Sequence, residues 1–179
     1  MQQRTSFILA FFVTVLIVSA APLGAASFPE EKGIAIGAVG GASFPFEGSY
    51  QMGYLVGVTG DYNVSKTVGV RATFGYEHHA TSAAGGGNLS ATQLLVSGVY
   101  SFGGEQVVPF AQAGGGFYTI SPPEGGTAGR FGVHVGGGVE AFFNRRTAFV
   151  AQGLFHFASG VSDRGGSSFQ LGLGLRYYF

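Results

Sequence analysis

Three sets of residues in this 179-residue chain have types and spacings that could do chemistry. His156-Phe-Ala-Ser159, followed by Asp163, supplies a base, a nucleophile and an orienting carboxylate, the parts that hydrolysis needs. His134 and His156 lie at similar distances from the turn Asn144–Arg146 and would be neighbours across a hairpin, a pair able to ligate a metal if a third ligand joined them. Arg71, Glu77, Glu140 and Arg176 are isolated charges within apolar surroundings, where ions persist only when paired. The chain has no Cys, which removes thiolate metal sites, thiol nucleophiles, disulfides and a lipid-modified N-terminal Cys. The glycine runs Gly114–Gly116 and Gly172-x-Gly174 are not phosphate loops, because the first lacks the Lys-Ser/Thr that follows such a loop and no helix follows the second.

The elements that must position these residues are extended. From Gly33 onward, apolar-alternating segments are separated by turn residues, and we read strands at about 33–43, 49–60, 67–78, 90–102, 107–118, 130–142, 147–157 and 168–179. Gly at many second positions suppresses helix. The connectors Asp61–Lys66, Gly103–Gln106 and Asn144–Arg146 are short; 79–89, 119–129 and 158–167 are longer and rich in Gly, Ser and Pro. On a strand, His156 and Ser159, three apart, point to opposite faces, so the hydrolytic set is not assembled unless the loop has begun.

Parity separates two rows. Phe169, Leu171, Leu173, Leu175, Tyr177 and Phe179 alternate with Gln170, Gly172, Gly174, Arg176 and Tyr178. Phe131, Val133, Val135 and Val139 alternate in the same way with Gly132, His134, Gly136 and Glu140. Arg71, Glu77, Glu140 and Arg176 all fall on the Gly-rich polar row, and the bulky apolar row is free of charge. A soluble sandwich or barrel reverses this, with charges outside and bulk within. An apolar outer row requires lipid, and in lipid only a closed barrel satisfies every backbone donor and acceptor of a sheet. Only 10% of residues are charged, nine basic and nine acidic, against about a quarter in soluble domains. That neutral balance also excludes an electrostatic nucleic-acid binder.

Outward aromatics collect in two bands. Tyr62, Tyr100, Phe102, Phe143, Phe149, Tyr177 and Phe179 lie toward the short turns; Phe44, Tyr50, Phe74, Tyr76, Phe117, Phe131, Phe155, Phe157 and Phe169 lie toward the other end. Two girdles around an aliphatic band match the boundaries of a bilayer. Inside, Arg71, Glu140 and Arg176 should share one level near the short-turn end, in a hydrogen-bonded plug with Gln152 and Gln170 nearby. His134 and His156 are read as polar lumen filling, and His78-His79 as a solvated rim.

The N-terminus reads as an export signal. One basic residue, Arg4, precedes a twelve-residue apolar run, Phe7–Val18, and the small residues Ser19–Ser27 follow. Twelve helical residues reach only about 18 Å, short of a bilayer core of about 30 Å. Residues 1–26 are expected to be removed, leaving one barrel domain over 27–179. The fold class is all-β: an eight-stranded antiparallel up-and-down transmembrane β-barrel.

On these features the sequence resembles the small OmpA/OmpX-like outer-membrane β-barrels of Gram-negative bacteria, over about residues 30–179. The most specific part is Leu171-Gly-Leu-Gly-Leu-Arg-Tyr-Tyr-Phe179; Pro109–Phe117 and Phe131–Glu140 look like the Gly-rich strands of that family. The resemblance implies that Tyr177 and Phe179 form the signal presented to the outer-membrane assembly machinery. It also implies outer-membrane lipids and lipopolysaccharide as surroundings, and long loops outside the cell. Such barrels serve as structural proteins, adhesins, channels and lipid-modifying enzymes. The expected role is structural or surface-interacting (envelope integrity, adhesion), with no catalytic residues, cofactor or metal, and with the chain a monomer. The second reading is a narrow porin-like channel lined by Arg71, Glu77, Glu140, Arg176 and the His pair. The third is a lipid A-modifying hydrolase: the stretch around His156 and Ser159 resembles the His/Ser region of outer-membrane lipid A deacylases. That pattern places His and Ser two apart before Asn, where this chain has them three apart before Gly160.

Overall fold

A computed structural model describes residues 33–46, 51–80, 87–121, 126–158 and 167–179. The segment 1–26, Tyr50, Ser159 and Asp163 lie outside the described residues. Eight strands follow in chain order: β1 Ile34–Pro45, β2 Gly53–Asn63, β3 Val68–Ala80, β4 Asn88–Ser101, β5 Val107–Ser121, β6 Ala128–Phe142, β7 Thr147–Ala158 and β8 Ser167–Tyr178. Each pairs antiparallel with its sequence neighbour, and β1 closes on β8 with Ala38 opposite Leu175 and Ala42 opposite Leu171. The shortest strand has 11 residues and the longest 15, at least the about 9–11 that a tilted strand needs to cross a bilayer.

Which face meets which medium is decided by exposure. Leu173 and Leu175 are 58% and 56% exposed on β8, whereas Arg71 and Arg176 are 2% and 3% exposed inside the barrel. Val56, Val58, Leu94, Val96, Val133 and Val135 are likewise outward. Closure leaves the described strands without a free edge, so the backbone is satisfied internally while the outer face stays apolar.

Strand ends differ from the sequence reading at two places that matter. The connector beginning at Asp61 starts later: β2 continues to Asn63, and Asp61 points into the lumen opposite Arg71. His78-His79, expected as a solvated rim, instead lie within strand β3 near its end, with His79 buried and facing inward. In both cases a polar residue near a strand end is held in the sheet because an interior partner awaits it.

The polar row is rich in Gly because eight strands leave little room. A Cβ added to Gly138 on β6 would sit 2.1 Å from the Ala151 carbonyl oxygen of β7. Gly138→Val is therefore expected to cost about 1–3 kcal/mol through overpacking. Gly129, where a Cβ would meet nothing within 4 Å, is the control for the same substitution. Urea midpoints of the folded, fast-migrating gel band for the two variants test this.

Candidate functional site: the lumen

The interior side chains form three tiers. The first, toward the short turns, is a closed square of alternating charge contributed by four strands. Asp61 on β2 accepts from Arg71 Nε on β3 at 2.5 Å, and Arg71 Nη2 reaches Glu140 Oε1 on β6 at 3.3 Å. The same Glu140 oxygen accepts from Arg176 Nη1 on β8, and Arg176 Nε returns to Asp61 Oδ2 at 3.2 Å. Gln112 Oε1 accepts from Arg71 Nη1 at 2.7 Å, the Phe110 ring lies 4.9 Å beneath the Arg71 guanidinium, and Tyr178 donates its hydroxyl to Glu140 Oε2. Two cations and two anions cancel, and each charge has at least two partners. That is the condition under which burial of ions is tolerated.

Below this square the short-turn end is stopped by an apolar cluster of Ala35, Val108, Phe142, Ala148 and Tyr178. Beside it, among Lys66, Asp61, Arg71, Glu140 and Tyr178, lies a cavity of about 20 Å³. A space of that size admits about one water molecule.

The middle tier is built from hydroxyl–imidazole pairs. His134 and His156 are direct cross-strand partners on β6 and β7, their rings stacked with centroids 5.4 Å apart. Ser97 Oγ lies 2.7 Å from His134 Nε2, and the Tyr118 hydroxyl 2.8 Å from His156 Nδ1. Ser97 with His134 has the spacing of a nucleophile and its base, yet His134 Nδ1 has no carboxylate to orient it and both residues are closed into the wall. Among the described residues, no group of three or more His, Asp or Glu side chains is arranged to hold a metal ion.

The third tier, toward the longer loops, centres on Glu77. Ser43 Oγ donates to Glu77 Oε2 at 2.6 Å, Gln170 Nε2 donates to Glu77 Oε1 at 2.6 Å, and His79 Nε2 lies 3.2 Å from Oε2. His79 Nδ1 is 3.2 Å from the Gln51 carbonyl oxygen, and Gln93 Oε1 is 3.4 Å from Gln170 Nε2. Ser, His and a carboxylate meet here in the wrong order for a hydrolase. Glu77 stands between the other two, so the Ser43 hydroxyl donates its hydrogen bond to a carboxylate rather than to an imidazole, and its side chain is fully buried.

Of the residues singled out in the sequence, Arg71, Glu140 and Arg176 meet in one tier. Glu77 lies in another, and His134 and His156 lie between them. Gln170 is not beside the charged square but bonds Glu77, because its place on β8 is six residues from Arg176. Gln152 is half-buried opposite Gly138 and Gly172 and makes no hydrogen bond to the square. Tyr177 and Phe179 lie outside at the short-turn rim, ring edge to ring face at 5.2 Å. Sequence reasoning does not reach the bonding roles of Asp61, Ser43, His79, Gln112 and Tyr178. For Ser43, Gln112 and Tyr178 the signal available was their place on the polar row.

A family model described as "outer membrane protein beta-barrel domain" matches residues 10–179. The chain belongs to that family. No curated protein matches the sequence. Among solved structures, the chain is similar to Ail, the attachment invasion locus protein of Yersinia pestis, at 16% identity and TM-score 0.61, covering 83% of this chain and 99% of Ail. It is similar to the N-terminal β-barrel domain of Pseudomonas aeruginosa OprF at 18% identity and TM-score 0.55, covering 83% and 98%. A third likeness is to the outer membrane enzyme PagL, at 17% identity and TM-score 0.51, covering 79% and 97%. Identities this low show a shared fold, and that fold carries both enzymatic and non-enzymatic proteins.

Proposed function

We propose that this chain is a closed, non-conducting outer-membrane barrel whose role is structural or surface-interacting, presenting its longer loops outside the cell. The observation that carries this reading is the four-charge square above an apolar stopper. Passage of a solute would require breaking several charge-assisted hydrogen bonds in a space with room for about one water. The likeness to Ail, an attachment protein by its name, supports a surface role. Export on the segment 1–26, docking to the assembly machinery through Tyr177 and Phe179, lipopolysaccharide as a neighbour and a monomeric state belong to the same proposal. A non-enzymatic role is supported by the order Ser43–Glu77–His79.

Purified protein in planar bilayers tests the reading. The expected result is no discrete conductance. Reproducible current steps that change in Glu140→Gln would establish the narrow channel instead. Lipid A whose acylation changes on overexpression of the chain would establish the hydrolase.

A further inference from the structure

The outer wall carries an apolar groove of about 840 Å³, centred on β1. Register makes it two parallel rows across the sheet. One runs Phe149, Leu175, Ala38, Val58 and Phe74; the next runs Leu173, Gly40, Val56 and Tyr76. Each row has its smallest side chain on β1, with Leu on one side, Val on the other and aromatics beyond. The groove is therefore a trough with a narrow floor and apolar walls.

The backbone does not demand the smallness of that floor. A Cβ at Gly40 would meet only the Leu55 carbonyl oxygen, at 3.7 Å, an ordinary contact. At Gly41 the nearest atom would be 1.9 Å away, so there glycine is obligatory. Glycine weakens a strand interior and marks places where something else approaches closely. At the short-turn end of the trough stands a cation. Arg146 is exposed, and it lies three residues before the groove residue Phe149, about 10 Å along an extended chain. Its Nη1 donates to the Tyr177 hydroxyl at 3.4 Å, which leaves the remaining guanidinium donors and the Tyr177 proton free for an anion.

We propose that this face seats one phospholipid molecule, with its acyl chains over Ala38 and Gly40 and its phosphate held by Arg146 and the Tyr177 hydroxyl. An apolar trough that ends in a paired guanidinium and phenol has the polarity order of such a lipid. A second copy of the chain fits less well, since the apolar rows it would cover hold no carboxylate to meet the guanidinium at their end. Choosing a phospholipid over lipopolysaccharide rests on the orientation proposed above, in which short turns face the periplasmic leaflet.

Native mass spectrometry of the folded barrel in detergent, with phosphatidylglycerol added, reads occupancy without reference to orientation or conductance. One bound lipid per barrel is expected. Occupancy should fall about tenfold in Gly40→Leu, which fills the floor, and about tenfold in Arg146→Gln, which removes the cation. Both variants should keep the heat-sensitive gel migration of a folded barrel. Unchanged occupancy in either variant overturns the proposal, as does a dimer mass in place of a lipid adduct or preferential retention of lipopolysaccharide.

Discussion

Replacing Glu140 by Leu is expected to destabilise the barrel by about 3–5 kcal/mol, the cost of breaking a buried ion set from one side. Glu140 is the acceptor for both arginines and for Tyr178, so its loss leaves Arg71 and Arg176 with Asp61 as their only shared anion. The adjoining cavity has room for about one water, too little to solvate two guanidinium groups. The double variant Glu140→Leu with Arg176→Leu leaves one cation and one anion, Arg71 and Asp61, at 2.5 Å. It should recover much of the loss, since replacing a buried pair by apolar groups is often neutral. Urea unfolding in detergent or lipid, followed by the gel-mobility shift of the folded band, measures both. Equal stability of the single variant and the parent would mean that the square contributes nothing.

Leu173→Arg is the second large effect, about 2–4 kcal/mol, because it sets a cation on the lipid face near the midplane. Leu173 sits halfway along β8, opposite Gly40 and Ala151, with no acidic residue on the outward row beside it. Arg at Gly129, an outward position near the longer loops, should cost far less, because the effect falls toward the interfaces. Unfolding in vesicles separates the two, and similar losses at both positions would contradict a lipid-facing outer row.

The existence of eight strands, their inward and outward rows and the placement of Arg71, Glu140 and Arg176 on the inner row were legible because side-chain direction alternates strictly along a strand. What parity does not carry is height. Arg71 and Glu77 share a strand and a face, yet six residues put them in separate tiers with unrelated partners. Height depends on the stagger between neighbouring strands, which is set by closure of the sheet. Parity alone therefore places Gln170 with the wrong tier. Asp61 reads as a turn residue because Asp61, Asn63 and Ser65, alternating with Tyr62 and Val64, favour turns. Its salt bridges to Arg71 and to Arg176 are properties of the folded barrel. His79 likewise reads as solvated, because nothing local signals that Glu77 and the Gln51 carbonyl enclose it. The meeting of Ser43 and Gln170 on Glu77 joins β1, β3 and β8 across separations of 34 and 93 residues and leaves no local trace.

The square of charge has a consequence for how the barrel is completed. Its corners come from β2, β3, β6 and β8, so the early hairpin brings Asp61 and Arg71 together while Arg176 arrives only with the last strand. Were β8 to join β1 displaced by two positions, the pleat would still turn its apolar side outward, and lipid would accept the error. The guanidinium would then stop short of Asp61 and Glu140, stranded in the interior without its anions. The lumen thereby discriminates among closures that the bilayer cannot tell apart, and works as an alignment key for the final seam.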